Sequence, residues 1–379
     1  MPLHSLLTAR IRWISLLIIL CSLNTMTAGA TPDTSGVTDL QTKAARGYVK
    51  QELELAAAYF AGRGVPKDLT QSAYWYRKAA DQGNPAAQIY LGYMYTVGMG
   101  VPQDKAEAVR WYRRAALAGI TEAEVNLASL YIRGDGVKRD IQEALRLLKS
   151  AADKQDGRAD AYLGVASYLG TGGAVDHPAA EAWFKIGARQ HDPEAEFLLA
   201  SFNENEPGRV PDLVNDVKLL RLSAAAGYVP AMHGAGLLLV NHPELTQPPE
   251  EATNLLLSAA NAGYWKASAT LGILTRDGRR MAKDQRVAYR WFYIAVLQGG
   301  SPAETYLRPA LRRLAASLPD VASIEQEATA WRQTHPNCDL FVYSDEMNPK
   351  HIPIQDIQEV YATPHTPKAQ DGDQTKQPN

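Results

Sequence analysis

Cysteine is nearly missing from this chain: 379 residues contain two, Cys21 and Cys338. No disulfide framework can hold such a fold, so packed apolar surface must do so. Catalytic signatures are missing as well. There is no Gly-x-Ser-x-Gly elbow, no His-Glu-x-x-His pair and no paired cysteine motif, and His177, His191, His233 and His242 are scattered without ligand-like spacing. This reading expects no enzyme, no cofactor and no metal. Charge of one sign is also lacking, with 39 basic and 41 acidic residues and a net charge of -2, so the basic footprint of a nucleic-acid binder is absent.

Long hydrophobic runs are limited to Trp13 through Leu23, preceded by Arg10 and Arg12 and followed by Ala28-Gly29-Ala30. This is the layout of an export signal over residues 1–30, cleaved near Ala30, and it predicts a periplasmic protein. The run is shorter than the ~20 residues that span a bilayer comfortably, which places an uncleaved inner-membrane anchor second. Loss of Arg10 and Arg12 leaves 37 basic against 41 acidic residues, a net charge near -4. Cys338 is then the single thiol, read either as a buried side chain or as a reactive one.

What the chain does have is a register of 36 residues. Gly47, Gly83 and Gly119 are followed in the same slot by Gln155 and His191, then Gly227, Gly263 and Gly299. Tyr59, Tyr95 and Tyr131 keep the interval, as do Trp75 and Trp111, and Ala80, Ala116, Ala152, Ala188, Ala224 and Ala260. Seven equal units describe a stacked helical array, whose function resides in a surface.

Residues 83–118 show the logic of one unit. Pro85 opens a first helix, along which Ala87, Leu91 and Tyr95 share a face. Gly92 lies inside that helix at a cost of roughly 1 kcal/mol, and its recurrence as Gly164, Gly236 and Gly272 predicts a close approach by another helix. Gly98-Met99-Gly100-Val101-Pro102 turns the chain, with Val101 as an apolar plug. Asp104 then caps the second helix, and Glu107 is placed to complete a capping box. Asp68, Asp140, Asp176, Asp212 and Asp284 repeat the cap, which assigns these acids to structure rather than catalysis. Along the second helix Ala108, Trp111, Ala115 and Ala116 form the apolar stripe before the closing Gly119, and the tryptophans are read as packing residues.

Unit after unit, these residues resemble the Sel1-like repeat, a relative of the tetratricopeptide repeat with a longer helix connection. The pattern is carried by Ala87, Leu91-Gly92, Tyr95, Gly98, Gly100, Asp104, Ala108, Trp111-Tyr112, Ala115-Ala116 and Gly119. The resemblance implies an all-α, right-handed α/α superhelical solenoid of seven units over residues 47–298. Unit 5 departs at Asn203 through Gly208, and unit 6 at His242-Pro243-Glu244 and at Pro248 in the cap slot.

Before the array, residues 31–46 are expected to form a loose leader. After it, residues 299–335 should form capping helices, opened by Pro302 and broken or kinked near Pro309. Residues 336–361 read as a docked extension, and 362–379, polar and proline-bearing, as a disordered tail.

In such a solenoid the first helices line a concave wall, and residues off the packing stripe are free for a partner. Tyr90 and Tyr93 with Val97, Asn126 with Ser129 and Arg133, and Tyr162 with Val165 hold these positions. Each of the two tyrosines of unit 2 either anchors a partner or packs between neighbouring helices. Similarity to exported Sel1-like proteins implies a non-catalytic protein-binding scaffold, most sharply an immunity protein that inhibits a secreted phospholipase effector of a contact-dependent (type VI) secretion system. An envelope assembly adaptor and a peptidoglycan- or polysaccharide-binding module are the alternatives.

Overall fold

The computed structural model describes residues 34–206, 208–246 and 248–335. The expected signal segment, Cys338, the docked extension and the tail lie outside the described residues. Within them the chain forms sixteen α-helices and one short 3-10 turn, with no strand. After α1 (Thr34–Ala45), seven hairpins follow: α2 (Val49–Ala61) with α3 (Leu69–Asp81), α4 (Pro85–Val97) with α5 (Lys105–Leu117), and α6 (Thr121–Arg133) with α7 (Ile141–Asp153). Then come α8 (Gly157–Leu169) with α9 (His177–Arg189), α10 (Pro193–Asn205) with α11 (Leu213–Ala225), α12 (Val229–Asn241) with α13 (Glu251–Asn261), and α14 (Trp265–Asp277) with α15 (Gln285–Ala315). The array closes on α16 (Val321–Thr334).

All seven first helices are 13 residues long and begin 36 residues apart, so the sequence period is a structural period. Each hairpin buries its stripe against itself and its neighbours. The fully buried Leu91, Phe184, Leu239, Leu256 and Phe292 sit in three successive apolar clusters along the array.

The glycine slots divide by physical cause. At Gly119 the left-handed φ of 82° is the requirement, because a Cβ there would meet nothing within 4 Å. Gln155 and His191 take the same conformation with φ of 63° and 58° despite their side chains. At Gly100, in contrast, a Cβ would lie 2.0 Å from the Leu69 carbonyl oxygen, the first residue of the preceding second helix. The in-helix glycines have a third cause. A Cβ on Gly92 would sit 2.9 Å from the Tyr112 ring, and one on Gly164 would sit 2.4 Å from Phe184. At these two positions the close approach is by an aromatic ring of the unit's second helix, and Tyr112 is 3% exposed.

The cap aspartates act as expected. Asp104 accepts from the backbone N–H of Ala106 and Glu107 at 3.0 Å, and Asp68 from Thr70 and Gln71 at 2.9 and 3.0 Å. The reciprocal arm of the capping box does not form. The Asp104 N–H donates instead to the carbonyl of Tyr95 at 2.9 Å, and Asp68 and Asp140 donate likewise to Tyr59 and Tyr131. Glu107, released from that task, pairs with Arg110 one turn along the same helix. In unit 6 no carboxylate stands in the cap slot, and α13 starts at Glu251, two residues behind the register of the other second helices. Arg221 compensates by holding Glu251 through two bonds of 2.6 and 2.7 Å and the Leu245 carbonyl at 3.0 Å.

Two expectations at the ends are corrected. Residues 34–45 of the expected loose leader are helical. Ala44 is 1% exposed and the Val37 side chain lies against the Gly64 turn, so α1 covers the open face of unit 1. At the other end Pro309 does not break its helix. It is exposed, so the carbonyl it leaves unbonded faces solvent, while Leu307 and Leu314 anchor the turns on either side. The discontinuity falls at Gly300, with φ 59° and ψ -143°. The left-handed slot has moved one residue from Gly299, whose backbone is covered by the Trp265 ring: a Cβ there would be 2.6 Å from its Cγ.

Candidate functional site

Neighbouring first helices approach backbone to backbone, as α8 with α10 and α12 with α14, whereas second helices meet through long side chains such as Arg221 on Glu251, so the first helices form the inner wall of the curve. Direct side-chain bonds between first helices follow the same line. Arg158 on α8 donates to Asn126 on α6 at 2.7 Å, and the buried His233 on α12 bonds Thr270 on α14 at 3.0 Å. Burial and the nearby Lys266 cation lower the His233 pKa to about 3, so this histidine is a neutral packing residue.

The wall residues named from the sequence separate into three groups. Tyr90 is half-buried and its ring stacks on Tyr76 of α3 at 4.9 Å, so it packs against the preceding second helix. Ser129 is buried between helices, at 8% exposure. Asn126, Arg133 and Tyr162 are brought together on the inner wall around Arg158, and Tyr93 is half-buried on the neighbouring α4. Arg133 is partly spent, bonding Asp135 at 2.8 Å while Lys105 holds the other carboxylate oxygen at 2.8 Å. These two cations hold the Asp135 carboxyl below its ordinary value against the opposing cost of burial.

Sequence reading missed the residues one position inside each first helix. Glu122, Arg158 and Glu194 occupy that position in units 3, 4 and 5, and charge alternates across three adjacent helices. Arg158 feels the fields of Tyr162, Glu122, Asp156 and Glu194. Burial first, then the neighbouring Asp192, raises Glu194 to about 7 against the pull of Arg158. The 36-residue spacing of the three residues was the available signal; it was hidden because the slot changes sign rather than repeating one residue type.

A second missed series lies on the face toward the second helix. Glu52, Glu124 and Asp160 are buried at the fourth position of their helices, and each accepts from a residue 30 positions on: Gln82 at 2.7 Å, Lys154 at 3.0 Å and Gln190 at 2.8 Å. Glu196 holds the slot in unit 5 with His191 at 3.8 Å, and burial with the Asp192 charge lifts it to about 7. These pairs tie the two ends of one unit together and face away from the wall.

The tryptophans of the second helices do not line the wall. Trp111 and Trp291 on second helices are 3% and 6% exposed, and Arg77 and Arg114 stack on the Trp111 ring at 5.8 and 4.5 Å. Among the described residues no group of three or more His, Cys, Asp or Glu is placed to hold a metal, and no helix is long and apolar enough to cross a membrane.

The Sel1 repeat family matches residues 52–84, 85–120, 121–156, 157–192 and 267–300, leaving out the two departing units. A Sel1 repeat protein from Oxalobacter formigenes is 29% identical, with 65% of this chain and 96% of that chain covered and a TM-score of 0.51. A protective antigen with an SLR fold, c5321 of uropathogenic Escherichia coli, is 22% identical over 96% of this chain and 80% of its own, with a TM-score of 0.42. Immunity protein Pa5087 from Pseudomonas aeruginosa is 21% identical over 61% and 86% respectively, with a TM-score of 0.38. No curated protein matches the chain.

Proposed function

Because this chain is a Sel1-repeat protein, we propose that it is a non-catalytic scaffold that holds a protein partner on the inner wall of its first helices. One observation carries this reading: on α6, α8 and α10 the wall displays Asn126, Arg158 and Glu194, polar side chains that the repeat core does not need, around Tyr162, whose ring packs partly against that core. Tyrosine and arginine are the residue types that anchor partners most often.

The sharper form of the proposal is a periplasmic immunity protein that blocks a secreted phospholipase effector. Its support is the export-type leader at residues 1–30 followed by an almost pure repeat array. A glycan-binding role is disfavoured by Trp111 and Trp291, which serve the packing between helices instead of standing along the wall.

The test is capture with the full chain, tagged at its C-terminus and recovered from envelope and secreted fractions, followed by mass spectrometry and a phospholipase assay. The expected result is a stoichiometric partner lost on Tyr162→Ala, with lipase activity that falls as the protein is added. A partner retained by that variant overturns the wall assignment. Capture of resident envelope proteins without lipase inhibition overturns the immunity role in favour of an assembly adaptor.

A further inference from the structure

The charge on the inner wall is unbalanced at units 3 to 5. Arg133 is committed to Asp135, and Arg158 to Asn126. Facing Arg158 are Glu122, Asp156 and Glu194, with Asp192 adjoining Glu194. Asp156 and Asp192 cap the first turns of α8 and α10, where helix N-termini offset part of their charge. Glu122 and Glu194 have no such role. Among the described residues neither carboxylate makes a side-chain hydrogen bond or an ion pair, although Glu194 is half-buried and within the electrostatic reach of the Tyr162 hydroxyl.

A half-buried carboxylate without a donor is costly, and a cation seated on it removes that cost, with the neighbouring tyrosine adding contact area and a hydroxyl acceptor. The wall also excludes the opposite partner, because a phosphate backbone or an anionic bilayer would meet repulsion along the same three helices. We propose, resting on the scaffold reading above, that the wall across α6, α8 and α10 takes a basic segment of the protein partner, with an arginine or lysine seated on Glu194 against Tyr162. Glu122 supplies the second anionic contact, and Arg158, pinned by Asn126, sets the register by repelling any cation placed between them. The complementarity acts at close range and governs both orientation and association rate.

The experiment uses the full chain and three fluorescein-labelled nonapeptides at 0.15 M salt, alternating serine with arginine, with glutamate or with norleucine, followed by fluorescence anisotropy. At pH 8.5, where Glu194 is ionised, two double variants remove the same net charge. Glu122→Gln with Glu194→Gln clears the wall; Asp81→Asn with Asp153→Asn clears exposed positions at the ends of second helices. The expected result is binding of the arginine peptide alone, weakened at least tenfold by the wall variant and less than twofold by the other. Equal weakening by both variants reduces the effect to net charge and overturns the proposal, as does binding of the norleucine peptide as tight as that of the arginine peptide. If the arginine peptide fails to bind while Tyr162→Ala still abolishes partner capture, the basic-segment inference falls and the scaffold reading stands. If neither wall perturbation matters, both fall.

Discussion

Two glycines in α12, two residues apart and so on nearly opposite faces of the helix, should respond to the same substitution with opposite sign. Gly234 and Gly236 both lie inside the helix, where replacement by alanine gains about 1 kcal/mol of helix propensity. At Gly234 the new Cβ would stand 3.4 Å from Leu220 Cδ2 and 3.6 Å from Phe197 Cε2, an ordinary contact that adds packing. At Gly236 it would stand 2.7 Å from Leu256 Cγ and 3.0 Å from the Ala252 carbonyl oxygen. Leu256 and Ala252 are fully buried, so relief requires movement of α13 backbone and costs about 1–3 kcal/mol. The propensity gain therefore survives in Gly234→Ala, while Gly236→Ala comes out up to about 2 kcal/mol less stable than the parent. At roughly 2 °C per kcal/mol for a chain of this size, the two variants should unfold some degrees apart on either side of the parent. Thermal and urea unfolding followed by circular dichroism at 222 nm measures the difference. A Gly236→Ala variant as stable as Gly234→Ala would refute the account of this slot as a contact-distance device.

The capping geometry predicts that Asp104→Ala loses about 1 kcal/mol whereas Glu107→Ala changes urea-midpoint stability by a few tenths at most, because the reciprocal arm is absent. Glu196, raised by burial to about 7, contributes stability that is full below its unfolded value near 4.5 and is lost as pH rises through 7. Glu196→Gln should therefore stabilise the protein at pH 8 and not at pH 4.5. The comparison with wild type at each pH cancels the opposite trend of His233, whose lowered pKa withdraws stability as pH falls below 6.5. Arg221→Gln frees the 3-10 turn (Pro243–Leu245), and faster proteolytic nicking between residues 242 and 251, with the rest of the array intact, is the expected outcome.

Fold class, unit length and hairpin boundaries were legible because a repeat writes the same physical problem seven times: Pro85 and Pro193 open first helices, Gly98 and Gly134 end them, and Asp68 through Asp284 start second helices. What was hidden is whatever depends on a second unit. The destination of the Asp104 N–H is a carbonyl, which has no sequence signature. For Tyr90 the sequence left anchoring and packing both open, and its ring stacks on Tyr76 of the preceding hairpin. Asn126, Arg133 and Tyr162 were legible as wall positions, but Arg158 and Glu194, which complete the patch, alternate in sign and escape a search for repeated identity. At the ends, α1 escaped because its apolar residues Val37, Leu40 and Ala44 are few, and it is their docking on unit 1 that orders them.

The turn glycines also dictate which neighbours a unit can accept. Gly100 and Gly136 are pressed against the first residues of α3 and α5, where a Cβ would come within 2.0 and 2.2 Å of backbone. Unit 7 carries Arg280 in that position, with φ 60°, and it follows the one second helix that begins two residues late. The modules are thus keyed in order. A duplication or exchange that set unit 7 behind unit 2 would drive an arginine into the start of α5, so recombination within such an array is restricted to units whose turn and preceding helix travel as a matched pair.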